Sequence, residues 1–271
     1  MDFFWTVYKI DKRQQTIQDL PKRGYTMLDV RPQRKKHLII EGNIGAGKST
    51  FLKIISSYLA IEPVFEPHQK WQKVGGDQNL LDAFYKDIKR WAYTFQSYAF
   101  VTRVLELEQA EKNSGASSLV LERSVYSDRY CFAKNCYEMG LMSSLEWELY
   151  QEWFAWLVEG YTKKPDGFIY LQTDPGICHQ RLKQRKRSEE TEVSLDYLTK
   201  LHTKHENWLI KKEGISPALC DIPVLRLECD KDFEHDIEEQ ARHIKAIANY
   251  FSLDYKIDNQ ISQPALSYLV K

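Results

Sequence analysis

The sequence predicts a three-layer α/β/α fold around a five-stranded parallel sheet. Three observations predict it. Short apolar runs alternate with helical patterns from His37 to Phe251, which implies a parallel sheet covered on both faces. The first run, Leu38-Ile39-Ile40, ends in a glycine-rich turn that opens a helix. No internal repeat and no linker-like segment falls between Lys36 and Phe251, so one domain is expected there.

The elements follow in order. Met1 to Lys36 carries an apolar cluster, Phe3, Phe4, Trp5, Val7 and Tyr8, then a polar stretch. It reads as an N-terminal extension packed on the domain surface, with a partner-binding segment as the alternative. After the first strand, Phe51 to Leu59 reads as helix. Ile61 to Pro67 is a second strand ended by proline, which puts Glu66 at a carboxyl strand end. In open α/β sheets that edge holds the ligands. Leu80 to Lys112 reads as helix in one or two pieces, from the spacing of Leu81, Phe84, Tyr85, Ile88, Phe95, Ala99, Thr102 and Arg103. Gln96 and Arg103 interrupt the apolar face, which a purely structural face would avoid. Ser117 to Leu121 is a third strand, followed by Glu122-Arg123-Ser124. Asp128 to Glu138 and Leu145 to Val158 are helices. Gly167 to Gln172 is a fourth strand, and Thr173-Asp174-Pro175 caps the next helix. Leu195 to Lys211 is helical, Val224 to Leu227 is a fifth strand, and Asp236 to Tyr250 is a last helix. Residues 252–271 form a C-terminal tail.

Composition sets outer bounds. The 271 residues are 43% hydrophobic, enough for a sizeable core. Charges balance at 38 basic and 38 acidic, so no global field draws the chain to nucleic acid or an anionic membrane. No apolar run is long enough to span a bilayer. The N-terminus lacks a secretory layout, and Asp2, Asp11, Asp19 and Asp29 argue against a transit peptide. Five irregularly spaced cysteines show no zinc pattern and suit a reducing cytoplasm.

The chemistry starts at Gly42-Asn43-Ile44-Gly45-Ala46-Gly47-Lys48-Ser49-Thr50, which fits G-x-x-x-x-G-K-[ST] at every fixed position. Glycines let the backbone approach a ligand, and successive N–H groups with the helix N-terminus form an anion cradle. Lys48 would meet the outer phosphates of a nucleoside triphosphate such as ATP, and the Ser49 hydroxyl would face Mg²⁺. A chance match is the alternative; the strand before and the helix after weigh against it. Glu66, beside this turn, is the candidate base for an attacking hydroxyl, with a cap or salt bridge as the plainer role. Arg123 would hold Glu66 and the reacting phosphate. Glu122 would hold Mg²⁺ through water. Arg181 and Arg185 share a helix face, with Arg187 just beyond. Such runs are often a solvated face, but here the three would form an arginine-rich lid over the phosphates. His202 and His205 have no evident third ligand and read as surface histidines.

At this point the residues are similar to a known family. EGNIGAGKST (41–50), FEPHQKW (65–71), FYKDIKRWAYTFQSYAFVTR (84–103), LERSVYSDRYCFAKN (121–135), GFIYLQTDP (167–175), RLKQRKRSEE (181–190) and YLTKLHTKHENWL (197–209) resemble the deoxynucleoside kinases of the deoxycytidine/deoxyguanosine kinase group. The resemblance runs from about His37 to Phe251 and implies a P-loop kinase fold and a homodimer. It implies that Glu66 is the base for the sugar 5′-hydroxyl, with Glu122 and Arg123 at Mg²⁺ and that base. It implies that Tyr85 and Glu190 grip the 3′-hydroxyl, that Gln96 bonds the nucleobase edge, and that Phe132 stacks on its face. Ile44, Trp71, Leu81, Phe84 and Phe95 would line the pocket. Lys231, Asp232 and Phe233 would hold the donor base, and Arg181, Arg185 and Arg187 match the lid. Ala99, Arg103 and Asp128 are similar to the cytidine- and purine-accepting branch, while Phe84 stands where the deoxycytidine kinases carry methionine. The implied activity is ATP-dependent 5′-phosphorylation of deoxyadenosine, deoxyguanosine or deoxycytidine. The rivals are a thymidylate-type monophosphate kinase, which needs a further basic site for its acceptor phosphate, and a non-catalytic nucleotide switch, which needs no base for a hydroxyl.

Overall fold

The computed structural model describes residues 34–256 apart from residue 192. The cluster Phe3 to Tyr8, most of the expected N-terminal extension and most of the C-terminal tail lie outside the described residues. The strands are β1 (Lys36–Gly42), β2 (Glu62–Val64), β3 (Ser118–Glu122), β4 (Gly167–Gln172) and β5 (Val224–Glu228). They form one five-stranded sheet in the order β2-β3-β1-β4-β5, every pairing parallel. The three central strands are buried almost throughout, while edge strands β2 and β5 keep exposed positions. Alternate side chains feed two cores. Leu38, Ile40, Val120, Ile169 and Leu171 pack on one face. Ile39, Leu119, Leu121, Phe168 and Tyr170 pack on the other. The period-two pleat thus needs apolar residues at every central position.

The helices are α1 (Lys48–Tyr58), α2 (His68–Gln72), α3 (Leu80–Lys86), α4 (Ile88–Asn113), α5 (Val125–Ser127), α6 (Lys134–Glu138), α7 (Ser144–Tyr161), α8 (Pro175–Arg185), α9 (Leu195–His205), α10 (Pro217–Cys220) and α11 (Ile237–Phe251). The long predicted helix divides at Asp87, whose non-helical backbone (φ −143°) lets its carboxylate cap α4 through the Arg90 N–H at 3.1 Å. Asp174 caps α8 through the Gly176 N–H at 2.7 Å, with Pro175 in the first turn, as the sequence suggests. Two stretches that read as plain helix contain π-helical turns, Asp128–Ala133 between α5 and α6 and Glu206–Ile210 after α9. The wider i→i+5 bonding changes which side chains face inward, and such turns often sit at functional sites. The expected surface pair is corrected at His205. It is fully buried, and its Nδ1 lies 2.7 Å from the Leu201 carbonyl.

β1 lies between β3 and β4, so the chain reverses its direction of travel across the sheet beside β1. The crevice at the carboxyl end of β1 is where this topology places a ligand. A third apolar cluster, built on Trp71, Leu81, Phe84, Phe95 and Ala99, supplies apolar wall to the crevice.

Candidate active site

The turn after β1 has the backbone its motif demands. Gly45 and Gly47 take φ of 81° and 89°. A Cβ at Gly45 would lie 2.5 Å from the Cys178 carbonyl oxygen, and one at Gly47 would lie 2.6 Å from Cζ of Phe233. Both positions therefore need glycine for conformation and for space. Asn43 ties the turn down. Its Nδ2 donates to the Leu198 carbonyl at 2.9 Å, and its Oδ1 accepts from the Ile44 N–H at 2.9 Å. Ala46 is fully buried beneath the turn. Lys48 is buried and donates to the Gly42 and Asn43 carbonyls at 3.2 and 2.7 Å. Burial, with Arg123 adding to it, pulls the Lys48 ammonium down to about 7. An anionic phosphate beside it would favour the charged form.

The turn after β3 is the second support. Arg123 stands in the left-handed region (φ 65°), which costs a non-glycine residue about 1–3 kcal/mol. Four contacts hold it there. Its N–H donates to the Ile40 carbonyl at 2.9 Å, and Nη1 donates to the Gly42 carbonyl at 2.9 Å. Its guanidinium lies over the Phe132 ring at 4.7 Å, and Nε is 3.4 Å from Glu66 Oε1. Ser124 donates to the buried Glu41 at 2.5 Å, so the strand before the phosphate turn is tied to this one. Burial lifts the Glu41 carboxyl to about 7, against the pull of Arg123 and Ser124. At the end of β3, Glu122 Oε1 accepts from the Ser49 hydroxyl at 2.6 Å. Those two oxygens form a hard donor pair that suits Mg²⁺, an ion that keeps water and phosphate as its remaining ligands.

Between these supports opens a cavity of about 260 Å³. Its wall includes Ile44, Lys48, Ser49, Glu66, Glu122 and Arg123 at one end and Trp71, Leu81, Phe84, Phe95, Gln96 and Ala99 at the other. Tyr85, Arg103, Asp128, Phe132, Arg185, Arg187 and Glu190 complete it, so every substrate-contacting residue expected from the sequence lines one space. The aromatic end is rigid. Phe84 stacks on Phe95 with centroids 4.5 Å apart, and Trp71 Nε1 donates to Thr102 Oγ1 at 2.9 Å. Asp128 and Phe132 reach the same cavity from the π-helical turn.

Arg103 links the two ends. Its Nε and Nη2 meet Asp128 at 2.8 and 3.1 Å in a fork, and Nη2 also meets Glu66 Oε1 at 2.6 Å. Burial alone would raise the Glu66 carboxyl, but Arg103, then His68, then Arg123 outweigh it and hold the group well below the usual carboxylate range. The sequence pairs Glu66 with Arg123 and gives no sign of the link from Arg103. Arg103 is in fact the nearer partner.

The basic run divides. Arg185 pairs with Glu190, and Arg187 lies 3.6 Å from the same carboxylate, both on the cavity wall. Arg181 does not join them over that cavity. Its Nη2 donates to the carbonyls of Cys229 (2.9 Å), Asp230 (3.3 Å) and Lys231 (3.0 Å), bracing the loop after β5. That loop turns Phe233 under the glycine turn, edge-on to Phe51 at 5.4 Å. Arg181, Arg185, Asp232 and Phe233 line a second groove that runs past Gly45, Gly47 and Thr50. Lys231 contributes its carbonyl to the brace and is not on that groove's wall. Sequence reasoning missed three wall residues of the first cavity: Lys53, His68 and Tyr197. His68 and Tyr197 sit inside stretches that carry the family resemblance, but no spacing rule marks either.

Comparison with known proteins agrees with this geometry. A family model described as deoxynucleoside kinase matches residues 38–252. A fowlpox virus (strain NVSL) protein named a probable deoxycytidine kinase is 42% identical over 80% of this chain and 88% of its own length. The mitochondrial deoxyguanosine kinase of Xenopus laevis is 38% identical over 83% of this chain and 93% of its own. Human deoxycytidine kinase is 38% identical over 78% of this chain and 90% of its own. Among the described residues, no helix is long and apolar enough to cross a membrane. A parallel sheet with a phosphate turn at its centre, a nucleoside-sized cavity beside it and relatives along most of the chain together make this protein a member of the deoxynucleoside kinase family, an enzyme that phosphorylates deoxynucleosides from a nucleoside triphosphate.

Proposed function

We propose that the chain moves the γ-phosphoryl group of ATP, or a similar triphosphate, to the 5′-hydroxyl of deoxycytidine, deoxyguanosine or deoxyadenosine. The observation that carries this reading is Arg103. Its fork meets Asp128 on one side, and the same guanidinium meets Glu66 on the other. One guanidinium nitrogen thus bridges the two carboxylates on a shared cavity wall, which supports Asp128 reading the base while Glu66 faces the hydroxyl.

In this reading Gly42 to Thr50 cradle the phosphates, with Lys48 on the outer ones. Phe132 stacks on the nucleobase, and Gln96 with the Arg103–Asp128 pair bonds its edge. Donors and acceptors fixed in a buried site reject a base that leaves them unpaired. Tyr85 and Glu190 hold the 3′-hydroxyl. Glu66 then accepts the 5′-hydroxyl proton as the oxygen attacks the γ-phosphorus and the bond to the donor's bridging oxygen breaks. Arg123, Arg185 and Arg187 spread the charge of the transferring group. Arg181 supports the reaction one step removed, by bracing the loop of Lys231, Asp232 and Phe233 that would hold the donor base. Ser49 and Glu122 would hold Mg²⁺, which neutralises phosphate charge when bound.

Steady-state assays with four deoxynucleosides and their monophosphates test the reading. The expected result is turnover of deoxycytidine and the two purine nucleosides, with little of thymidine and none of the monophosphates. Faster turnover of thymidylate than of any nucleoside would overturn it.

The reading includes a homodimer in the cytoplasm. On α7, Leu145, Leu149, Trp153 and Trp156 form one exposed stripe, and Val101 and Leu105 are exposed on neighbouring α4. A patch of that kind marks an interaction face. All five cysteines are free thiols, as a reducing compartment requires. Sedimentation at micromolar concentration should give twice the 32.0 kDa chain mass; a monomer would remove the dimer, and recovery with mitochondria on fractionation would remove the location.

A further inference from the structure

The second oxygen of the Glu66 carboxylate has a partner of its own. His68 Nε2 lies 2.9 Å from Glu66 Oε2, while Arg103 holds Oε1 at 2.6 Å. His68 opens α2, and its backbone N–H donates to the Glu66 carbonyl at 2.9 Å, so the two residues share one tight turn. The imidazole packs edge-on against Trp71 with centroids 5.1 Å apart, and Trp71 is itself pinned to Thr102. The buried indole backs the ring on the cavity side. It also forms part of the wall between the cavity and an outer groove lined by Lys53, Lys70, Glu106 and Arg187.

We propose that His68 is a positioning residue for Glu66: it fixes the carboxylate in the rotation that meets the 5′-hydroxyl. This rests on the reading of Glu66 as the base. The terminal torsion of a glutamate is broad, so one anchored oxygen leaves the other free to turn. An imidazole donor on Oε2 removes that freedom, whether the ring is neutral or charged, provided Nε2 carries a proton. Small errors in the placement of a reacting group reduce rates steeply.

The groups that face Glu66 are Arg103 from α4, Arg123 after β3, Lys48 at the start of α1, Asp128 in the π-helical turn, Tyr85 from α3 and His68 from α2. The pull of His68 helps hold Glu66 below the usual carboxylate range. Its removal should therefore move the acidic limb of the kcat profile to higher pH, an effect that a merely structural role would not produce.

The test uses the full chain carrying His68→Ala, His68→Gln or His68→Phe, each alone and combined with Glu66→Gln. His68→Phe keeps a ring against Trp71 and lacks a donor, so it serves if the alanine variant does not fold. His68→Ala or His68→Phe should lower kcat about tenfold, with the nucleoside KM within about twofold and the acidic limb moved up. His68→Gln, with an N–H donor restored, should recover most of the loss. In the Glu66→Gln background, the alanine and phenylalanine changes should have no further effect. Parental kcat and pH profile in the donorless variants, an undiminished loss in the Glu66→Gln background, or no recovery with glutamine would each overturn the proposal. Full activity of Glu66→Gln alone would instead remove the assignment of the base, a different failure.

Discussion

Glu66→Gln should cut kcat by roughly 10²–10⁴, the usual contribution of a positioned general base, while the nucleoside KM changes by much less. The expected split follows from where Glu66 sits. The aromatic walls and the Arg103–Asp128 fork supply the binding contacts, and Glu66 sits beside Arg123, which reaches the phosphate turn at Gly42. The substitution keeps the side-chain shape and removes the negative charge. Arg103 keeps both contacts with Asp128, at 2.8 and 3.1 Å, so the guanidinium is not left unpaired. The variant should therefore fold, and the loss should appear in the chemical step. By the tenfold-per-1.4 kcal/mol rule, the decrease corresponds to roughly 3–5 kcal/mol of transition-state stabilisation. Single-turnover assays check it directly. Near-parental turnover would rule out the assigned base.

Arg103→Ala should have the largest effect on stability. Arg103 is buried and is shared by two buried carboxylates, Glu66 and Asp128. Removing one partner of a buried ion pair costs about 3–5 kcal/mol, because a charge is left without compensation. Glu66 retains Arg123 at 3.4 Å and His68 at 2.9 Å. Among the described residues, Asp128 forms no other ion pair. For a domain of this size, each kcal/mol shifts Tm by about 2–4 °C, so a fall on the order of 10 °C is expected. Activity should fall as well, because the base-reading fork goes with the residue. The pH dependence has a definite sign. The Arg103 charge is the largest single influence holding Glu66 low. Without it the carboxyl rises toward its ordinary range, so the acidic limb of kcat moves to higher pH. Arg103→Lys keeps a charge but not the planar fork, and should fall between the two. Calorimetry gives the Tm, and an unchanged value would contradict the burial argument.

Much of this site is legible in the amino-acid sequence, and the reasons are physical. The glycine turn is a local motif whose backbone can serve little else, so its nine residues identify a phosphate cradle directly. Glu66 and Glu122-Arg123 are found because the carboxyl edge of a parallel sheet gathers whatever follows its strands. The pocket aromatics, Gln96 and the Arg103–Asp128 pair come from family resemblance, since nothing in helical spacing separates a pocket wall from a core face. What stays hidden is contact across the fold. Arg103 and Glu66 are 37 positions apart, and only the packing of α4 beside β2 brings them together. His68 is two residues from Glu66, yet its five-residue helix is too short to carry a period. The π-helical turns break the spacing rule from which a face would be read. Arg181 shares a helix face with Arg185, as expected, but that face serves the groove beside the glycine turn and the loop after β5. His205 resembles a surface residue because a histidine pair near charged neighbours gives no sign of a buried partner such as the Leu201 carbonyl.

The most direct test is the position of one atom. In a crystal structure with a deoxynucleoside bound, the 5′-oxygen should lie roughly 2.6–3.2 Å from a carboxylate oxygen of Glu66, with the nucleobase between Phe132 and the opposite aromatic wall. A nucleoside bound the other way round, with its base at Glu66 and its 5′-oxygen among the aromatic rings, would contradict the account.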